Sequence, residues 1–457
     1  MKAISSNINL LEQNAINLGL DEVRLMQAAG LNLANLIKKQ SSKKGFKKTK
    51  ILFLLGSGNN AADCLIAARV LQNEFKIRLF LVDESLKKSP LFEKELEICK
   101  SLNLKFLKKE PKFKDFQIII EGIFGSGLKR ALSENLANLI LKANKSKALK
   151  IACDMPCGLG FEVCFKADIT ATMGALKEPL LEDFAKENVG KIKLLNLGLS
   201  AKKFSFKKEA FLLEKKDLKL IKRKRVSNKG DFGHGFVAGS ESAGSLTAQA
   251  ALNFGAGLIS LIAKSSFSPL IMLKERFENS ASAAALGMGL LNLELLKDEI
   301  LEKIPLVLDA NCFLSAEILK FLNRRDAILT PHPKEFTRLF EMAFNESLSV
   351  ETLQKNRFFY AKKFASAFEC VLVLKGANPI IIQKEKIFVV NLGKPNLAKA
   401  GSGDALSGMI LALLCAKFSP LKAAKNAVLA HALISKKYKF NQNSFDALKL
   451  IKGLKCL

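Results

Sequence analysis

The chain has 457 residues, 49% of them apolar and 25% charged, a balance that excludes intrinsic disorder; at ~100–200 residues per domain it suggests two to four domains. Its net charge of +29 invites a nucleic-acid function, but the lysines are spread along the whole chain and the aromatics are 33 Phe against 2 Tyr and no Trp. No nucleic-acid module pattern appears and no apolar run reaches the ~18 residues of a membrane span, so neither nucleic acid nor membrane is expected as a partner. A basic surface still attracts small polyanions such as nucleotides.

In chain order, apolar runs of strand length at 51–55, 79–82, 117–120 and 150–153 alternate with helical stretches at 61–74 and 132–145. This is an α/β pattern with a parallel sheet. The first strand runs into Gly56-Ser57-Gly58-Asn59-Asn60-Ala61-Ala62-Asp63, a strand–turn–helix entry of the kind that binds dinucleotide phosphates, although not GxGxxG. The next turns are Glu121 to Arg130 and Asp154-Met155-Pro156-Cys157-Gly158, each again after an apolar strand. Asp154 has no obvious ion-pair partner in the sequence and suits a ribose or ring hydroxyl. As bare motifs, helix caps and turns explain these segments about as well.

The nine cysteines, an odd number without paired spacing, point to a reducing, cytoplasmic setting and to free, mostly buried thiols. Cys153, Cys157 and Cys164 form a cluster that lacks metal-knuckle spacing. Residues 202–229 carry a run of lysines and arginines and read as a solvated connector, with a domain boundary at 205/206. A second strand series follows at 235–238, 258–263, 306–308, 327–329, 371–374 and 379–382.

The sharpest signal is Gly401-Ser402-Gly403-Asp404, ahead of an apolar helical stretch to Cys415. Two glycines bracketing a serine at a helix start leave backbone N–H groups free to face an anion. An Asp inside that loop can accept a proton from a substrate hydroxyl while the same amides hold charge developing on a phosphoryl group. Alone, the segment reads equally as a Gly-rich turn with Asp404 as a helix cap.

Together, and in this order, KGDFGH (from Lys229), TPHPKE (from Thr330), LKGA (from Leu374) and GSGD (from Gly401) resemble the ADP-dependent NAD(P)H-hydrate dehydratases of the ribokinase-like superfamily. The resemblance implies a ribokinase-like α/β domain over 206–457. It implies an enzyme that phosphorylates the ring hydroxyl of hydrated NADH or NADPH and then expels phosphate, with ADP (or ATP) as donor and Mg2+ bridging the nucleotide. On this basis Asp404 is the catalytic base, and Lys375, Gly376, Ala377 and Gly403 hold the nucleotide. Ala243, Gly289, His332 and Asp404 hold the hydrate. The chain departs from the family at Asn378-Pro379, where a Thr is usual after KGA. A ribokinase-like small-molecule kinase is the competing reading; KGDFGH and TPHPKE favour the dehydratase. Ribokinase-like folds commonly assemble, so a homo-oligomer is expected.

The first half is similar to the NAD(P)H-hydrate epimerase domain, over residues 8–200, with a Rossmann-like three-layer sandwich implied over 1–205. That family interconverts the two hydrate epimers and binds K+. The resemblance makes Asn59, Asn60, Asp63, Gly125, Gly127, Leu128, Arg130 and Asp154 hydrate-binding residues, with Asn60 also at a potassium position. Glu121 and Cys157 stand where the family has a coordinating Asp and Ser, and a thiol suits a hard cation poorly. Ala61, Ala62 and Cys64 replace family glycines, which is expected to crowd the phosphate loop. A non-catalytic binding domain ahead of an active dehydratase is the alternative for this half.

Overall fold

The computed structural model describes residues 1–5, 8–45, 49–83, 87–125, 127–128, 130–198, 210–290 and 292–457. The chain divides into two compact units, residues 3–208 and residues 1–2 with 209–457. The expected boundary at 205/206 lies outside the described residues. Among the described residues no helix is long and apolar enough to cross a membrane.

In the first unit, six parallel strands lie in the spatial order Lys76–Leu81, Lys50–Leu55, Ile118–Gly122, Leu149–Cys153, Ile169–Met173, Lys191–Leu195. Side chains alternate across a strand, and here both faces are apolar. Ile51, Phe53 and Leu55 join the core under helices Glu22–Lys44, Asn59–Leu71 and Pro90–Ser101. Leu52 and Leu54 join the core under helix Glu134–Asn144. The result is a sheet between two helical layers. Strand order reverses between Lys50–Leu55 and Ile118–Gly122, and such a switch point opens a crevice at the carboxyl ends of the strands. Gly56 is required there, because a Cβ would sit 2.1 Å from the Ile123 carbonyl oxygen.

The last two strands of this sheet escape the apolar pattern. Thr170 and Thr172 interrupt one, yet both are buried because their hydroxyls bond the carbonyls of Val189 (2.8 Å) and Ala175 (3.1 Å). The other is an edge strand whose lysines face solvent.

In the second unit, the spatial order is Met272–Lys274, Leu258–Ile262, His234–Ala238, Ala283–Leu286, Leu306–Leu308, Ala327–Leu329, Val371–Leu374, Ile380–Gln383, Lys386–Val389, Ala210–Leu212. Pairing is parallel as far as Val371–Leu374, antiparallel through the hairpin of the next two strands, and parallel again at Ala210–Leu212. The order reverses between His234–Ala238 and Ala283–Leu286, a second switch point. The described part of residues 202–229 is a solvated connector only in its second stretch, where residues 222–226, 228 and 229 are exposed; the first stretch docks on the core. Leu212 and Leu213 are buried, and the Lys219 amide donates to Asn426 Oδ1 at 2.6 Å, because apolar residues interspersed among the lysines dock on the core.

Helix Ser402–Cys415 is apolar all round, with every residue from Ala405 to Cys415 buried. It packs closely on helix Glu241–Phe254. Gly408 permits the approach: a Cβ would lie 2.1 Å from the Thr247 carbonyl oxygen and 3.0 Å from Ala250 Cβ. Gly408→Ala is therefore expected to cost about 1–3 kcal/mol by overpacking. Gly58→Ala, where nothing lies within 4 Å, should cost less, about 0.5–1 kcal/mol through the N-cap of helix Asn59–Leu71 alone. Denaturant midpoints of the two variants check this.

Candidate active sites

The second switch point gathers residues from several separate segments. Ser240 caps helix Glu241–Phe254 through the Ala243 amide (3.1 Å), and Gly289, in the left-handed region at φ +67, passes so close that a Cβ would lie 2.6 Å from Ser240 Oγ. The same Cβ would be 3.7 Å from Ala243, so Ala243 and Gly289 share one wall. One turn along the helix, the Thr247 hydroxyl bonds both the Ala243 and the Asp404 carbonyl oxygens at 3.1 Å. That contact ties the wall to the start of helix Ser402–Cys415.

Asp404 stands beside a buried charge network. Asp309, 2% exposed, takes the Lys375 ammonium on Oδ1 at 2.7 Å and the Ser407 hydroxyl on Oδ2 at 2.8 Å. Glu335 adds a second carboxylate 3.8 Å from Lys375 Nζ. Gly403 closes the space, since a Cβ there would lie 3.5 Å from Lys375 Nζ. Burial, then the charge of Asp309, pushes the Asp404 carboxyl up to about 6, with Lys375 acting against them. Burial likewise raises Glu335 to about 7. Burial opposes the Lys375 charge, but Asp309, Glu335 and Asp404 outweigh it and hold the ammonium above its ordinary value. The arrangement joins a proton acceptor, a fixed cation and a helix N-terminus in one place.

His332 is the N-cap of helix Pro333–Phe344: Nδ1 accepts from the Glu335 amide at 3.3 Å, and Glu335 returns a bond to the His332 amide at 2.8 Å. An accepting Nδ1 assigns the proton of the neutral ring to Nε2. Burial, reinforced by Lys375, lowers its pKa, which favours that neutral ring. Gly376 and Ala377 are exposed on the turn after Val371–Leu374. Three further residues carry this site. Ser407 and Asp309 orient Lys375, and His431, pushed down to about 4 by burial, bonds Ser402 at 3.1 Å. Asp309 follows a strand in the sequence, but nothing there indicated its tie to Lys375.

At the first switch point, Asn60, Gly125 and Asp154 converge. A Cβ on Gly125 would be 3.3 Å from Asp154 Oδ2 and 3.7 Å from Asn60 Cβ. Asp154 is not free of an ion-pair partner as the sequence suggested. Its Oδ1 meets the buried ammonium of Lys177, 23 positions along the chain, and accepts from the Met173 amide at 3.1 Å. Asp154 also sits in the left-handed region at φ +67, which Asp tolerates better than most residues. Asn59, Gly127 and Arg130 are exposed, with Asp63 and Leu128 half-buried; Ser126 and Lys129 lie outside the described residues.

The replaced glycines do not crowd the loop in the expected way. Ala61 and Ala62 bury their methyl groups in the core, and Cys64 fills the space that Gly122 leaves, where a Cβ would be 2.3 Å from its sulfur. Glu121 is fully buried. Its carboxylate accepts from the amides of Ile123 (2.8 Å) and Cys157 (3.0 Å), while burial pushes it up to about 8. Asn60 Nδ2 donates to the Cys153 carbonyl at 3.1 Å, and its buried Oδ1 has no partner among the described residues. A buried amide oxygen with no partner is a donor of the kind K+ takes, and Glu121 supplies a carboxylate, whereas Cys157 contributes its amide to Glu121 rather than a ligand oxygen.

Residues 235–455 match the family described as NAD(P)H-hydrate dehydratase, and residues 22–178 match the family described as YjeF-related protein N-terminus. A relative from Helicobacter pylori, the bifunctional NAD(P)H-hydrate repair enzyme Nnr, is 38% identical, covering 100% of both chains. The Escherichia coli protein of the same name is 30% identical over 83% of this chain and 79% of its own. A solved structure of an ADP/ATP-dependent NAD(P)H-hydrate dehydratase from Bacillus subtilis, co-crystallised with ATP and Mg2+, is 28% identical; it covers 52% of this chain and 92% of that one, at a TM-score of 0.45. With both halves matched and full-length identity of 38%, the chain belongs to the family of bifunctional NAD(P)H-hydrate repair enzymes.

Proposed function

We propose that the two units carry out successive steps in the repair of hydrated NADH and NADPH. The observation that carries this reading is the Asp404–Lys375–Asp309 cluster at the N-terminus of helix Ser402–Cys415. Asp404 accepts the proton of the ring hydroxyl as that oxygen takes the terminal phosphoryl group of ADP or ATP. Lys375, with the Gly376–Ala377 turn and Gly403, holds the nucleotide. Ala243, Gly289 and His332 hold the hydrate against Asp404. Phosphate then leaves with the electron pair of the ring C–O bond, and the adjacent ring carbon loses a proton to water, which forms the ring double bond. Mg2+ needs only one or two protein carboxylates when phosphates supply the rest, and Glu335, 3.8 Å from Lys375 Nζ, fits that need; the ion would neutralise phosphate charge.

In the first unit, Asp154, oriented by Lys177 and the Met173 amide, faces the hydrate and acts on its ring hydroxyl. Asn59, Asn60, Asp63, Gly125, Gly127, Leu128 and Arg130 bind the rest of the dinucleotide. Asn60 and Glu121 hold K+ beside it. A cytoplasmic homo-oligomer is consistent with this role.

Asp404 must be ionised to act as base, so dehydratase kcat/KM should rise with pH to a midpoint near 6 and level off above it. Asp404→Asn should cost ~10²–10⁴ in rate with nucleotide binding retained. A variant at near wild-type rate overturns the base assignment. Asp154→Asn should abolish epimerisation while leaving dehydration of the accepted epimer unchanged. Asn60→Ala should weaken the response of epimerisation to added K+. Assays on single epimers, with and without K+, separate these effects.

A further inference from the structure

Helix Arg357–Ala367 buries one stripe, Arg357, Phe358, Ala361, Phe364 and Ala365, and Arg357 is its charged member. The Arg357 side chain has no exposed surface. Its guanidinium donates to three carbonyls of one turn: Leu374 at 3.1 Å, Lys375 at 3.0 Å and Asn378 at 3.2 Å. At the near end of the turn the Lys375 amide donates to the Pro331 carbonyl at 2.9 Å. The turn is thus pinned from inside while Gly376 and Ala377 remain exposed.

A trans peptide sets its N–H opposite its C=O, and no cis peptide occurs among the described residues. With the Lys375 carbonyl drawn inward to Arg357, the Gly376 N–H of the same peptide is directed away from Arg357, on the exposed side. That N–H has no acceptor among the described residues. An outward amide next to an ammonium is a fitting pair of donors for a phosphate oxygen.

We propose that Arg357 is a positioning residue for the nucleotide: by drawing three carbonyls inward it aims the Gly376 amide, beside Lys375, at a phosphate oxygen of ADP. This inference rests on the reading of the Lys375–Ala377 turn as the nucleotide site. Arg357 itself touches no substrate. The rigid fork of a guanidinium spans these three carbonyls in a fixed geometry, whereas the three donors of a lysine ammonium radiate from one compact, rotatable point.

The test uses the full chain with Arg357→Met, which keeps much of the volume, and Arg357→Lys, which keeps the charge. Dehydration is measured with ADP varied at saturating hydrate and with hydrate varied at saturating ADP, alongside calorimetric titration with ADP. Arg357→Met should raise KM and the dissociation constant for ADP about tenfold, equivalent to about 1.4 kcal/mol, with KM for hydrate within about twofold. Arg357→Lys should fall between the wild type and Arg357→Met. Unchanged ADP constants overturn the proposal, and so does an equal rise for ADP and hydrate, which a merely structural role would give. If Arg357→Met does not fold, Arg357→Lys and Arg357→Gln carry the same comparison. A wild type with no ADP-dependent turnover contradicts the functional reading instead, and calorimetry with ADP still decides the role of Arg357.

Discussion

The ion pair between Lys375 and Asp309 is the interaction around which the dehydratase half is arranged. Both groups are largely withdrawn from water, and each makes the other tolerable. Removing one partner of such a pair leaves an uncompensated buried charge, at a cost of about 3–5 kcal/mol. Ser407 holds the second oxygen of Asp309 and fixes its orientation. Burial raises the Asp404 carboxyl first, and the same pair then acts on it, Asp309 adding to the rise and Lys375 restraining it. A base ionised just above pH 6, beside a cation that stays charged, follows from burial and these contacts together.

Both units place their polar residues by the same device, a reversal of strand order that opens a crevice at the carboxyl ends of a parallel sheet. Both units have glycines that no larger residue could replace, Gly56 in the first among them. In the second unit the backbone approaches so tightly at Gly289, Gly287 and Gly408 that a single Cβ would collide with a neighbour. In the first unit the glycine replacements are absorbed. Ala61 and Ala62 turn into the core, and Cys64 and Gly122 exchange volume across one contact. Glu121 uses its extra methylene to reach the amides of Ile123 and Cys157, so a changed carboxylate still ends in a satisfied position.

Much of this was legible in the sequence where the physics is local. Continuous apolar runs marked the central strands of both sheets, and glycines bracketing polar residues marked the turns at their ends. Strands built from other material were silent. Ala283–Leu286 is nearly all alanine, a helix former, yet it is a buried strand against which helix Ser402–Cys415 packs. Ile169–Met173 is broken by two threonines whose hydroxyls find carbonyls that only the fold supplies. Site residues divide in the same way. Asp404 and Lys375 sit inside recognisable turns, whereas Lys177 and His431 meet their partners only through tertiary contacts. Arg357 left one trace, a charged residue on the apolar stripe of its helix, at the spacing of Ala361 and Phe364.

The most direct measurement gives the wild-type chain each hydrate epimer separately, with ADP, Mg2+ and K+, and follows recovery of the reduced nicotinamide absorbance. The account predicts recovery from both epimers, one directly and the other at a rate limited by the first unit, and none when nucleotide is withheld. Absence of nucleotide-dependent recovery from either epimer would contradict it.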